Sequence, residues 1–114
     1  MLLTLIVKNF TLVEYLEIDF SKGMTALTGE TGAGKSLVVD ALSMALGDRA
    51  DTEQIRSTAE RAEVSAVFDV SKVPHAKKWL SSYDFDATDD ECVLRRVLTK
   101  EARSRGTING QLAL

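Results

Sequence analysis

Eight consecutive residues, Gly29-Glu30-Thr31-Gly32-Ala33-Gly34-Lys35-Ser36, match the pattern G-x-x-x-x-G-K-[ST] at every fixed position. Those residue types in that order can hold a polyphosphate. Glycine permits backbone angles and close approaches that a β-carbon would forbid. N–H groups from Glu30 to Lys35 can therefore converge on phosphate oxygens. Lys35 brings a mobile positive charge to the β- and γ-phosphates, and the Ser36 hydroxyl is placed to ligate Mg2+. A glycine-rich turn could meet the pattern by chance, so the flanking elements decide the reading.

A phosphate loop of this kind needs a strand before it and a helix after it, because the helix N-terminus adds partial positive charge at the phosphates. Met24 to Thr28 is a short β-prone run. Beyond the loop, Leu37, Val38, Ala41, Leu42, Ala45 and Leu46 recur at helical spacing, and Gly47 reads as the C-cap. The ligand this implies is a nucleoside triphosphate such as ATP, bound with Mg2+.

Two more strands precede that unit. Leu2 to Phe10 carries Leu3, Leu5 and Val7 on one face, and Asn9 and Thr11 mark a turn. Tyr15 to Phe20 places Leu16, Ile18 and Phe20 opposite Glu17 and Asp19, the period of a half-buried strand. Ser21-Lys22-Gly23 turns into the loop strand. Small P-loop kinases usually place the phosphate loop after the first strand of the chain. ATP-binding-cassette ATPases begin with an antiparallel pair, and this chain has that layout.

After the helix, Asp48 to Thr58 is polar without an apolar period and reads as a mobile connection or a short irregular helix. Arg61 to Val70 alternates, with Ala62, Val64, Ala66, Phe68 and Val70 facing one way. A helix is predicted from His75 to Tyr83, with Ala76, Trp79 and Leu80 on one face and Trp79 as its core anchor. The acidic stretch Asp84 to Glu91 lacks calcium-ligand spacing and reads as a solvated loop. Cys92 to Thr99 and Ser104 to Asn109 read as a strand and a returning strand around the turn at Lys100-Glu101-Ala102-Arg103. Arg95, Arg96, Lys100, Arg103 and Arg105 cluster there, as a solvated hairpin tip or as a patch for a partner or a phosphate backbone.

Composition sets outer bounds. A chain of 114 residues is one domain at most, and no apolar run approaches the roughly 20 residues needed to cross a bilayer. The N-terminus lacks the basic region and cleavage site of a signal peptide, so the expectation is a cytoplasmic protein with no membrane partner. Net charge of −3 argues against a free-standing electrostatic binder of nucleic acid. Cys92 is the single cysteine, expected buried, and the single histidine, His75, has no metal-ligating companions.

Hydrolysis would need an acidic residue after a near-continuous apolar strand, and Phe68-Asp69 is the nearest approach, on alternating flanks. There is no LSGG-like signature and no N-K-x-D pattern.

The segments Leu2 to Phe10 and Leu16 to Ser36, with Asp40-Ala41-Leu42, Leu46 to Ala50, Leu94 to Val97 and Ser104 to Gly110, resemble the RecN family of bacterial DNA repair proteins. That family lies in the SMC-like branch of ATP-binding-cassette ATPases, and the resemblance covers nearly the whole chain. Thr58 departs from it, standing where many relatives carry glycine. The resemblance implies a head split between the two ends of a longer chain, separated by an antiparallel coiled coil. ATP would be sandwiched between two heads, with a role in recombinational repair of DNA double-strand breaks and in the SOS response. Residues 1–114 would then be an N-terminal ATP-binding lobe, a single incomplete domain of α/β class with a mixed sheet and antiparallel strands beside the P-loop strand and helix. Its partners would be the C-terminal lobe of the same head, a second head, and DNA through the parent protein. By analogy with SMC heads, Arg49 or Arg56 could reach the nucleotide, and Asn9 and Phe10 stand where the adenine-side wall begins. Three rivals remain: a non-catalytic nucleotide-binding or docking module, a small P-loop kinase, and an ABC transporter ATPase subunit.

Overall fold

The computed structural model describes residues 2–20, 32–49, 51–83, 85, 90–101 and 104–113. Strand β1 (Leu2–Phe10) and strand β2 (Val13–Asp19) form a hairpin. Helix α1 follows at Gly32–Ala45, then a 3-10 turn at Thr52–Gln54 and strand β3 (Arg61–Asp69). Helix α2 (Pro74–Ser82) leads into strands β4 (Glu91–Thr99), β5 (Ser104–Ile108) and β6 (Gln111–Ala113). The strands make one sheet in the order β2-β1-β3-β4-β5-β6, and every described pairing is antiparallel. Met24 to Thr28, expected to add the P-loop strand and so the mixed character, lies outside the described residues, as does the turn at Ser21 to Gly23.

Alternation predicted from sequence is the alternation observed. Leu5, Val7, Ala62, Val64 and Ala66 are fully buried on the sheet face that α1 covers, with Ile18 and Leu98 beside them. From the helix, Val38, Ala41 and Met44 close this core. The molecule is accordingly a slab of 39 × 36 × 17 Å, the thickness of one sheet and one helix layer. Leu46, expected on the buried helical face, instead lies past the helix end and is exposed, whereas Met44, in the row of Val38 and Ala41, is buried. Leu46 follows Val39 by two helical turns, and both lie on the side of α1 turned away from the sheet, Val39 being exposed as well.

Left-handed residues punctuate the sheet. Asn9 has φ 52° and Thr11 φ 51°, so β1 changes phase at its end and Phe10 turns into the core, fully buried. Phe10 bridges Ile55, while Arg56 N–H donates to the Asn9 carbonyl (2.8 Å) and Thr11 N–H to that of Gln54 (2.6 Å). The segment read as a mobile connection is thus pinned to β1. Asp51 caps its 3-10 turn, accepting from Glu53 N–H at 3.0 Å, and Gln54 reaches back to Asp51 N–H at 3.1 Å.

Strand β6 was not anticipated. Asn109 (φ 51°) and Gly110 (φ 84°) make the two-residue turn whose paired positive φ values match strand twist, and Ile108 faces Gln111 across it. The Asn109 side chain also accepts from Val93 N–H (2.7 Å) and donates to the Phe85 carbonyl (2.7 Å), tying the hairpin to β4 and to the end of α2.

Trp79 does not anchor α2. It is 48% exposed, and Leu80 alone on that helix is buried, with Val70 and Cys92. At nine residues α2 offers one inward row, which Ala76 and Leu80 occupy; Trp79 lies at its margin against Tyr83 (centroids 4.9 Å apart) and Phe85 (6.0 Å). Burial pushes the Cys92 thiol up, as expected for a packing cysteine. His75 is exposed.

Candidate nucleotide site

The candidate octapeptide straddles the start of α1. Gly29, Glu30 and Thr31 lie outside the described residues, whereas Gly32, Ala33, Gly34 and Lys35 form the first turn of the helix, followed by Ser36, which is exposed. The first four N–H groups of an α-helix have no partner within it, and here they belong to Gly32 through Lys35. Converging N–H donors at a positive helix end are the donor set that a phosphate needs. Val38, Ala41 and Met44 hold the helix flat on the sheet, chiefly on β3 with β1 and β4 alongside.

The far end of α1 is fixed with equal care. Asp48 N–H donates to the Ser43 carbonyl (3.0 Å) and Gly47 N–H to that of Met44 (3.2 Å), a Schellman reversal, with Gly47 at φ 107°. Gly47 is thus the C-cap glycine expected from sequence. Arg96, rising from β4, donates through Nη1 to the carbonyls of Met44 (3.0 Å) and Asp48, and through Nε to Ser104 Oγ on β5 (2.7 Å). A guanidinium at a helix C-terminus meets both the unpaired carbonyls and the negative end of the dipole. Sequence reasoning placed Arg96 only in a charge cluster, since its partner is 52 residues away and no local signal marks it.

The remaining basic residues divide. Arg95 points to the opposite sheet face, where it pairs with Glu63, and Lys8 Nζ stands 3.4 Å from the same carboxylate. Burial pushes the Glu63 carboxyl up, but the hydrogen bond and charge of Arg95, then those of Lys8, outweigh it and hold it below the ordinary carboxylate range. On that face Arg61, Arg95 and Arg105 surround Val97, Thr99 and Thr107 in an open groove of about 370 Å3. Lys100 is exposed on the turn, and Arg103 lies outside the described residues. The cluster is therefore no single patch: Arg96 belongs to the helix end, and Arg95 and Arg105 to the outer groove.

Of the other candidates, Arg56 donates to Thr58 Oγ1 at 2.8 Å and Arg49 is exposed. Phe10 is a core residue and Asn9 a left-handed turn residue. Asp69 accepts from Ser71 N–H at 2.9 Å, and hydrogen bonding from Ser71 lowers its carboxyl below the usual range. It ends an antiparallel strand, unlike the metal-shell acid of an ATPase, which follows a buried apolar run. Asp84, Asp86 and Asp89 of the acidic loop lie outside the described residues. Among the described residues no helix is long and apolar enough to cross a membrane.

Comparison with known proteins gives a consistent frame. A family model described as an AAA domain matches residues 4–110. The DNA repair protein RecN of Vibrio cholerae is 44% identical over 110 residues, which is 96% of this chain and 20% of the relative. RecN of Xylella fastidiosa is 46% identical over 97% of the chain, and RecN of Bacillus subtilis 36% over 98%. The chain thus spans about a fifth of the length of these relatives. Among solved structures, one from work on ATP-driven dimerization and DNA-stimulated activation of SMC ATPases superposes with a TM-score of 0.72 at 27% identity, covering 99% of this chain and 72% of that one. The SMC head domain from Thermotoga maritima (TM-score 0.66, 21% identity, 99% of this chain and 38% of that one) shares the fold. So does the recombination mediator RecF (0.68, 15% identity, 99% and 28%). The α/β architecture is that of the SMC-type ATPase head.

Proposed function

The chain belongs to the AAA domain family, and from that premise we propose that it is the ATP-binding N-terminal lobe of a RecN-like ATPase acting in recombinational repair of DNA double-strand breaks. One observation carries the reading: the glycine-rich segment runs directly into the first turn of α1, whose N–H groups have no partner inside the helix and sit at the end of a helix seated on the core. Gly29, Glu30, Thr31, Gly32, Ala33, Gly34 and Lys35 would hold the phosphates of ATP, and Ser36 would hold Mg2+. The bound Mg-ATP supplies a polyphosphate whose charge the site must balance. This chain contributes N–H donors, the Lys35 charge and a rigid helix axis.

Residues 1–114 act in this reading as one incomplete domain. Completion by a C-terminal lobe of the same head, and by a second head, would supply the metal-shell acid and signature residues that this sequence lacks. The protein would work in the cytoplasm, with DNA as the partner of the whole assembly. The groove at Arg61, Arg95 and Arg105 offers charge of the right sign for a phosphate backbone.

The test is Mg-ATP binding and turnover by the chain alone and with the C-terminal lobe added, with and without DNA, against Lys35→Ala. Expected are binding by the lone chain, turnover only after the lobe is added, and loss of both in Lys35→Ala. Turnover by the lone chain would overturn the split-head reading, and no stimulation by the added lobe would favour an inert binding module.

A further inference from the structure

Helix α1 is held against the sheet by two kinds of contact that do different things. Val38, Ala41 and Met44 bury apolar surface, which resists lifting the helix away but is non-directional. Sliding along the axis by a fraction of a turn would leave much of that burial intact. Hydrogen bonds are directional and fix position along the axis. Arg96 bonds the end of α1 to the sheet in this way. One guanidinium joins the carbonyls of Met44 and Asp48 to Ser104, so the helix end is referenced to β4 and β5 together.

We propose that Arg96 is a positioning residue for the phosphate site at the opposite end of α1. This rests on the reading of α1 as the nucleotide helix. A helix of 14 residues is a rod of about 20 Å, stiff along its axis, so the axial position set at Met44 and Asp48 is also that of the N–H groups of Gly32 to Lys35. Phosphate recognition by fixed N–H donors depends on that position. The spread of polar contact over three acceptors suits arginine and not lysine, whose ammonium is a single point charge without the planar fork.

The experiment is titration of Mg-ATP into the 114-residue chain and its variants by calorimetry, at a temperature where denaturant curves show each variant folded. Arg96→Ala is expected to weaken ATP binding about tenfold, within the ~10²-fold that a 1 Å misplacement can cause at a site built on orientation. Arg96→Lys should fall between the two, and Ser104→Ala, which removes one of the three acceptors, should weaken binding about two- to threefold by the same reasoning. Leu80→Ala lowers stability in the separate cluster with Val70 and Cys92 and should leave ATP affinity unchanged. If Arg96→Ala does not fold, Arg96→Lys and Ser104→Ala carry the test. Wild-type affinity in the folded Arg96 and Ser104 variants overturns the inference. So does equal weakening in Leu80→Ala, which would mean general loosening. Failure of the unmodified chain to bind ATP, or full binding by Lys35→Ala, overturns the nucleotide reading itself and this inference with it.

Discussion

Replacing Gly47 with alanine isolates the energetics of the reversal that ends α1. At φ 107° the residue lies beyond the left-handed well that asparagine tolerates, while a β-carbon built there meets no atom within 4 Å. The penalty is therefore backbone strain with no steric clash. Left-handed backbone costs an L-residue roughly 1–2 kcal/mol, and a φ this far out belongs at the upper end. Alanine also narrows the unfolded ensemble, which offsets about 0.4–1 kcal/mol. The net loss is then about 1–1.5 kcal/mol, or a fall in Tm on the order of 5 °C. Gly106 is the internal control: its φ is not in the left-handed range and an added β-carbon would sit 3.9 Å from the Arg95 carbonyl, an ordinary contact. Gly106→Ala should be neutral or stabilising by up to about 0.5–1 kcal/mol, since strand glycine is entropically unfavourable. Urea unfolding followed by circular dichroism measures both, with an unchanged m-value as the check on two-state behaviour. A Gly47→Ala protein as stable as the parent, or a Gly106→Ala protein that loses more than Gly47→Ala, would refute the assignment of strain to the reversal.

Three further outcomes follow from other parts of the molecule. Glu63→Gln should cost about 1 kcal/mol, a modest figure because Lys8 and Arg95 are half exposed and screened. Its folded carboxyl lies below the ordinary 4.5, so the contribution is complete above that value and disappears as pH falls through the folded pKa; parent and variant stabilities measured down an acid series should converge. Ile55→Ala, at a site 6% exposed, should lose stability near the lower end of the ~2–5 kcal/mol seen for such truncations, with faster hydrogen exchange at Thr11 and Arg56. Trp79, the single tryptophan, should be readily quenched by acrylamide in the native state; strong protection would contradict its half-exposed position.

What the sequence revealed and what it withheld divide along the range of the interactions. Alternation at Leu5-Val7 and at Ala62-Val64-Ala66 is a local pattern, and it located two central strands and their buried face, whereas at the start of β1 a register shift puts Leu2 and not Leu3 against the core. The helix at Gly32–Ala45 and its stop at Gly47 are equally local. Strand β6 has a local signal in Asn109-Gly110, a hairpin dipeptide, but the three residues Gln111–Ala113 are too short to show a strand period of their own. Ile55 was hidden in a polar stretch because burial there comes from Phe10, distant in sequence. Trp79 misled because its size suggested an anchor where a short helix had one inward row. Arg96 is visible in sequence as one charge of a cluster, and nothing near it distinguishes a helix-end clamp from a surface charge.

The order β2-β1-β3-β4-β5-β6 also bears on how the chain reaches this state. Pairing within β1–β2, and from β3 through β6, joins strands that are successive in the chain and needs only modest loops to close. The β1–β3 seam instead brings together residues as distant as Leu2 and Phe68, so its closure entropy is met before its contacts give any return. Docking of the β1–β2 hairpin onto the β3–β6 sheet is thus expected as the slow step of folding. Substitutions in that seam, such as Val64→Ala, should retard refolding more than equal destabilisation at Leu80. The glycine-rich loop and α1 lie inside the chain segment that this step encloses, so the nucleotide site should be among the last features to mature.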